Sequence, residues 1–477
     1  MTAAAAIALA GCNRLEMPSG HEDYYETGCY LRDRYMSIYY YWADEVAGQL
    51  DKLDIDGCGS LENAFDAMLY SPTDRWSWMM DAPTYFSYES GEITGSWGIS
   101  LTQPVEDFKD YKVYVALIYE GSPLASHGVT RGAQLTGIKG LDFSDGFQSQ
   151  EDIEYFNEHF YDSPQEFSFI LADGSPVTFT EKMSSYVNTN YIHAARVFTS
   201  DDFPGLAEPV GYFNYSSFME AFVTDMDEAF AYFKGEGVKK MIVDLRYNGG
   251  GSSSASQRLI SYLAPAGSQG KVYEKRKHNA LLSENGFDSY QYFGKKNSDD
   301  SYSDISIGLD EVYFIMTGES ASASEVVYNG LRPYLGNKVH LVGRQTYGKP
   351  NGMYVLYYPG ESADYDKYNA GNYSGAEWVF LPICFYNVNS EDESIPATGS
   401  ECSGFVPDND RPDDIYHDFG VEEGCINACL THIATGRYPA ATASTKSAGA
   451  QGFITELAVP QSRKNPNYGS FVAPLPR

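Results

Sequence analysis

Three short stretches of the 477-residue chain put chemically useful groups where a strand gives way to a turn. The first is Asp244-Leu245-Arg246-Tyr247-Asn248-Gly249-Gly250-Gly251, an apolar run that ends in three glycines, with a helix predicted from about Ser252. Glycines let the backbone turn sharply and aim successive N–H groups at one spot. With a helix N-terminus they form an anion cradle. A phosphate loop would continue with Lys-Ser/Thr, which is absent, so an oxyanion hole suits the spacing better. The second stretch is Gly318-Glu319-Ser320-Ala321-Ser322-Ala323-Ser324-Glu325, again between a buried strand and a helix, predicted over 326–334. A serine on such a turn is presented for attack in the field of the helix N-terminus, and three serines compete for the role. The third is Thr346-Tyr347-Gly348-Lys349-Pro350. A buried lysine loses charge readily, and a neutral amine beside a serine hydroxyl is a known way to activate it. Singly, the three stretches read as a tight turn, a capped helix start and a surface lysine. Together they shift the balance away from those readings.

The elements that must hold these groups follow from periodicity. Residues 20–92 are aromatic-rich with apolar positions at helical spacing, as in the run from Tyr30 to Trp42, and predict a small helical N-terminal domain. Residues 93–190 carry short β-rich runs such as Tyr114-Val115-Ala116-Leu117-Ile118, broken by Gly121-Ser122-Pro123 and Asp173-Gly174 turns. Residues 191–438 alternate helix and strand signals and predict an α/β core, with Met241–Leu245, Val312–Met316 and Val339–Val342 as buried strands. The polar stretch 266–305 reads as a loop or lid. Residues 439–477 are small and polar and read as a weakly ordered tail.

The order strand, Gly-Ser-Pro, short helix, Gly-Val-x-x-Gly, strand, hairpin in 93–190 resembles a PDZ domain of the bacterial protease type. The matching stretches are Gly121-Ser122-Pro123-Leu124-Ala125 and Gly128-Val129-Thr130-Arg131-Gly132, with Ala133 where an Asp is usual. Trp97-Gly98-Ile99-Ser100 falls where such a domain has its carboxylate-binding loop, beside which a peptide adds as a strand. The Gly-Gly-Gly, Ser-Ala-Ser-Ala-Ser-Glu and Thr-Tyr-Gly-Lys stretches downstream of it resemble the C-terminal processing peptidases, or tail-specific proteases, over roughly 95–435. Gly404-Phe405-Val406-Pro407-Asp408 resembles a further motif of that family. The resemblance implies a multidomain α/β protein with a ClpP/crotonase-like peptidase core and a serine endopeptidase activity. It implies Ser322 as nucleophile, Lys349 as base, and oxyanion donors from Ala323 and the glycine turn, Gly250 or Gly251. It also implies a PDZ domain that recognises or gates a protein or peptide substrate. One departure stands out: four residues after the lysine the family places a Gln, where this chain has Met353.

Composition narrows the alternatives. Asp and Glu number 65 against 33 Lys and Arg, a formal charge of −32, which argues against nucleic-acid binding through a broad basic surface. Met1 to Ala10 is apolar and ends in small residues, and Leu9-Ala10-Gly11-Cys12 looks like a bacterial lipobox. Residues 1–19 are therefore expected to be a signal and linker, with Cys12 lipidated, the protein exported to the cell envelope, and the membrane touched only through that anchor. The other six cysteines, Cys29, Cys58, Cys384, Cys402, Cys425 and Cys429, allow 15 pairings, with Cys29–Cys58 and Cys384–Cys402 as local candidates. No paired Cys/His clusters of zinc spacing and no dinucleotide fingerprint are visible, so neither metal nor cofactor is expected. Three rival readings are a His-based triad, although none of the eight histidines sits in a recognisable motif, an inactive envelope protein that only binds peptides, and a surface glycan- or protein-binding lipoprotein, which the many aromatics permit.

Overall fold

The computed structural model describes residues 22–70, 73–89, 92–93, 96–103, 112–184, 187–188, 190–358, 376–398, 403–440, 452–453 and 471–473. Cys12 with the rest of the leader, Cys402 and most of the tail lie outside them.

A six-stranded sheet forms the centre of the α/β core. In spatial order its strands are Ile192–Phe198, Val210–Tyr215, Lys240–Asp244, Glu311–Met316, Val339–Gly343 and Asn409–Asp410. The first pair is antiparallel and the rest run parallel. The inner strands, buried on both faces, read as nearly continuous apolar runs, Val312-Tyr313-Phe314-Ile315-Met316 being the clearest. Alternate side chains still sort to opposite faces. Phe213, Val243 and Phe314 pack under the helices Val223–Gly235, Ser253–Leu263 and Ala323–Leu335. Tyr212, Ile242 and Ile315 pack under Gly424–Thr435, through Cys425, Ile426, Cys429 and Leu430. The carboxyl ends of parallel strands are where such sheets bind ligands. Here the strand ends at Asp244 and Met316 feed directly into the glycine and serine turns.

The N-terminal helices Glu22–Ile38, Asp44–Leu50 and Leu61–Met68 are followed by the strand Trp78–Asp81, which pairs antiparallel with Trp378–Leu381. Leu31, Ile55 and Phe65 belong to the same hydrophobic cluster as Phe380 and Leu381. The helical region is thus not a separate globule: it completes a three-stranded sheet of the core. Residues 266–305, expected as a loop or lid, instead hold the strands Val272–Lys277 and Ser289–Tyr292, the short helix Ala280–Glu284 and a small hairpin. Ser289–Tyr292 is an edge strand, and Val272–Lys277 hides its charges in a buried Glu274–Arg276 pair, so neither shows an apolar strand pattern. These strands belong to a second six-stranded sheet, ordered Gly251–Ser252, Phe471–Ala473, Asn351–Tyr354, Ile383–Val388, Val272–Lys277, Ser289–Tyr292. Its second member comes from the segment read as a weakly ordered tail.

The β-rich region has its own core, in which Trp97, Val115, Leu135, Phe143, Phe156 and Phe167 are buried. Its strands Ile99–Gln103, Val113–Ile118, Gln134–Ile138, Gln165–Ile170 and Pro176–Glu181 pair antiparallel. Arg131 ties it to the α/β core. Its guanidinium, 4% exposed, bonds Asp413 at 2.9 Å, Tyr247 Oη at 2.6 Å and Ala116 O at 2.8 Å. Asp413 also takes Arg246 Nη1 at 2.6 Å, and Arg246 in turn holds Asp244 and Glu423. Breaking a buried pair costs roughly 3–5 kcal/mol, so Arg131→Ala is expected to lower the urea unfolding midpoint markedly. Burial alone would raise the Asp413 and Glu423 pKa values, but Arg131 and Arg246 overcome it at Asp413 and Arg246 at Glu423, and both are lowered. A carboxyl lowered in the folded state contributes stability above its unfolded pKa of about 4 and loses it as pH falls further. Unfolding in acid should therefore begin below about pH 4 and be somewhat less steep in Arg131→Ala, where Asp413 keeps only Arg246.

Cys58, Cys384, Cys425 and Cys429 are thiols. The expected Cys29–Cys58 bridge does not form: Cys58 Sγ instead donates to Asp54 O at 3.3 Å. Cys384 Sγ donates to Pro382 O at 3.1 Å.

Candidate active site

The strand Glu311–Met316 ends in a turn that reverses into the helix Ala323–Leu335, with Ser322 at the joint. Ser322 has φ +57° and ψ −111°, a backbone state that a β-carbon resists and that costs about 1–3 kcal/mol. Its flanking serines are occupied. Ser320 Oγ donates to Leu245 O at 2.6 Å and Ser324 Oγ to Asn248 O at 2.8 Å, lacing the serine turn onto the glycine turn. Ser322 is fully buried, and its Oγ has no hydrogen-bond partner among the described residues. Of the three serines in the run, it alone keeps an uncommitted hydroxyl.

Glu325 organises the surroundings. Its carboxylate is completely buried and accepts four hydrogen bonds. Oε2 takes Ser322 N and Lys349 N, both at 2.9 Å, and Oε1 takes Gly348 N at 2.8 Å and Thr346 Oγ1 at 2.6 Å. One oxygen atom therefore bridges the backbones of Ser322 and Lys349. Burial raises the Glu325 pKa, and the four donors oppose that rise without cancelling it. The sequence offered a signal that went unused: an acid three residues into a helix that starts at Ser is half of a capping box. Here the acid returns to the Ser322 N–H and then reaches on to the lysine loop. Gly404-Phe405 closes the far side. Phe405 N donates to Thr346 Oγ1 at 2.7 Å, and a β-carbon at 404 would lie 2.4 Å from Glu325 Oε1.

Lys349 is also fully buried, and its Nζ stands 3.9 Å from Met353 Sδ. The thioether thus occupies the place expected of a polar amide partner. The lysine loop is covered from the N-terminal region by Arg75, whose guanidinium lies 5.4 Å from the Tyr347 ring centroid. No hydrogen bond joins Ser322 Oγ to Lys349 Nζ.

The expected oxyanion donors divide. Ala323 is the first residue of its helix, where N–H groups have no intrahelical partner. Gly250 N–H is committed to Asn248 Oδ1 at 3.0 Å, so it is not available in this state. Gly251 sits at φ +129° with a notional β-carbon only 2.2 Å from Phe218 O. Gly251→Ala is expected to distort the turn, lowering both thermal stability and turnover, as a melting curve and an activity assay on one sample would show.

Trp97-Gly98-Ile99-Ser100 is placed otherwise than a carboxylate-capturing loop requires. Trp97 is a core side chain whose Nε1 donates to Phe160 O at 2.7 Å. Gly98 N–H is taken by Ser96 Oγ at 3.0 Å, and Ile99 and Ser100 open a strand. Among the described residues Glu311, His340 and His432 form one group able to converge on a metal. However, Glu311 Oε1 already bonds His340 and Tyr313, and Lys240 and Lys338 approach the same carboxylate.

Glu325 thus joins the serine turn to the lysine loop, and Ser320 and Ser324 join it to the glycine turn. Comparison with known sequences gives the family. Residues 209–363 match Peptidase family S41, and residues 33–78 match the Peptidase S41 N-terminal domain. The chain thus carries a peptidase family S41 domain over residues 209–363 and is a serine-type peptidase. Among solved structures, a candidate S41 protease from Bacteroides fragilis NCTC 9343 shares 20% identity, with 86% of this chain and 97% of that one covered and a TM-score of 0.62. The photosystem II D1 C-terminal processing protease shares 16%, with 82% and 93% covered and a TM-score of 0.45. No curated protein matches. Among the described residues no helix is long and apolar enough to cross a membrane.

Proposed function

We propose that the chain is an endopeptidase in which Ser322 attacks the scissile carbonyl and Lys349 serves as base. The observation that carries this is the uncommitted, buried Ser322 hydroxyl, one shared carboxylate away from the lysine backbone. Removing an ammonium from water favours the neutral amine, which is the form a base requires. Lys349 takes the proton of Ser322 as the Oγ–C bond forms, and the tetrahedral oxyanion is held by Ala323 N–H and Gly251 N–H. The same amine returns the proton to the leaving nitrogen as the C–N bond breaks. Water then hydrolyses the acyl-enzyme with Lys349 again as base. The β-rich domain presents a peptide to the site by strand addition to Ile99–Gln103, in the manner of a PDZ domain, with no cofactor needed. The leader sequence supports an exported, lipid-anchored protein, with Cys12 as the lipidated residue.

The test is hydrolysis of an unfolded casein by wild type and Ser322→Ala, with circular dichroism confirming that both are folded. Cleavage by wild type alone supports the reading. Equal cleavage by both rejects the assignment of Ser322, and cleavage by neither, even with C-terminal peptides added as activators, rejects the reading in favour of a peptide-binding protein.

A further inference from the structure

The C-terminal segment touches both places where this enzyme would hold a peptide. Gly452–Phe453 pairs antiparallel with Ile99–Gln103, with Gly452 opposite Gln103 and Phe453 opposite Thr102. It thereby covers the outer edge of the β-rich domain's sheet and heads toward the Trp97–Gly98 turn. An exposed strand edge is a template for an added strand, and this is the position and direction a peptide ligand takes on a PDZ-like edge. Further on, Phe471–Ala473 lies between the glycine turn and the strand that follows the lysine. Phe471 is opposite Gly251, and Val472 is flanked by Ser252 on one side and Met353 on the other. Met353 is the residue whose sulfur meets Lys349 Nζ. The intervening chain, fully extended, spans up to about 60 Å, so one tail can serve both positions. Charge agrees. Residues 441–477 carry Lys446, Arg463, Lys464 and Arg477 against the single acid Glu456, in a chain of formal charge −32.

We propose that this segment is an intramolecular ligand of its own chain. Gly452–Phe453 fills the peptide edge of the β-rich domain, and Phe471–Ala473 fills the substrate strand between Gly251–Ser252 and Asn351–Tyr354. The enzyme is held closed until a substrate strand displaces the tail. The functional consequence rests on the Ser322/Lys349 reading; the docking does not. Occupation of Gly251 by Phe471 removes the glycine-turn donor from the oxyanion hole. Gly250 is already committed to Asn248, so Ala323 is the remaining donor of those expected. Tethering raises the effective concentration of such a ligand to the millimolar range, so weak strand pairing suffices to compete with substrate.

Two full-chain variants test the proposal. Val472→Pro removes a ladder N–H between the two active-site strands, and Phe453→Pro does the same only at the β-rich edge. Hydrogen exchange is measured on Ser322→Ala, which cannot cut itself, and on each proline variant in that background. Casein hydrolysis is measured with Ser322 intact. The expected results are slow exchange at 452–453 and 471–473, lost at the substituted strand, and a rise in hydrolysis on the order of tenfold in Val472→Pro. A synthetic peptide of residues 466–477 should reverse that rise. Fast exchange at both strands in the parent overturns the docking whatever the rates. A melting temperature and a hydrolysis rate that both fall in Val472→Pro, with Phe453→Pro at the parent rate, make the strand structural and overturn the inhibition. Slow exchange with no hydrolysis by any variant overturns the peptidase reading while the docking stands.

Discussion

Lys349→Met is expected to lower turnover of a protein substrate by about 10⁴–10⁶-fold, the scale seen when one member of a nucleophile–base unit is removed, without unfolding the protein. Lys349 lies wholly inside the chamber against a thioether. Methionine is unbranched, of similar length, and fills the same buried space. The protein should stay folded while activity disappears. A residue that merely braced the fold would show the opposite pairing, a lower midpoint with activity retained in the folded fraction. Single-turnover measurements on Lys349→Met and Ser322→Ala check the prediction, and the double variant should be no slower than either single one, because the two act as a unit.

Glu325→Gln carries the second large effect. The carboxylate accepts on both oxygens, from Ser322 N and Lys349 N on one and from Gly348 N and Thr346 Oγ1 on the other. A glutamine can offer one oxygen, and its NH₂ must then face donors. Stranding buried N–H groups costs about 1–3 kcal/mol apiece, so a loss of roughly 2–4 kcal/mol is expected, with turnover reduced by more than about 10² because the serine and lysine loops are no longer pinned together. The pH dependence has two opposite signs. The clamp needs the ionised carboxylate, and the Glu325 pKa is raised by burial, so activity should fall with decreasing pH sooner than an ordinary glutamate would cause. Stability responds in reverse for this group: a raised folded-state pKa means the folded chain holds the proton more tightly, so its contribution weakens as pH rises. Turnover and melting temperature measured across pH 4–8 in wild type and Glu325→Gln separate the two.

The parts of this architecture that were legible in the sequence are those where local pattern and tertiary role coincide. From Val312 to Met316 the central strand is an unbroken buried run because both its faces are covered, and the turns after Asp244 and Met316 announce themselves by Gly-Gly-Gly and Ser-Ala-Ser-Ala-Ser. What stayed hidden depends on distant partners. Glu325 looks like an ordinary helix-start acid until Gly348 and Lys349 fold onto it. Nothing near Arg131 in the sequence foretells Asp413. The stretch 266–305 is polar because Ser289–Tyr292 is an edge strand and because Val272–Lys277, an inner strand, buries an ion pair between Glu274 and Arg276. Phe471–Ala473 is too short a run, in too polar a neighbourhood, to signal a strand; its two neighbours in the sheet make it one. Among Ser320, Ser322 and Ser324 residue type alone could not discriminate, whereas their hydrogen bonds separate them.

The most direct measurement is the site of covalent modification by a fluorophosphonate, which reacts with an activated serine. Wild type and Val472→Pro would be labelled, digested and mapped by mass spectrometry beside Ser322→Ala and Lys349→Met. The account predicts a single adduct on Ser322, absent in Ser322→Ala, formed far more slowly in Lys349→Met, and faster in Val472→Pro than in wild type. An adduct on Ser320 or Ser324, or labelling of Ser322 at a rate indifferent to Lys349, would contradict it.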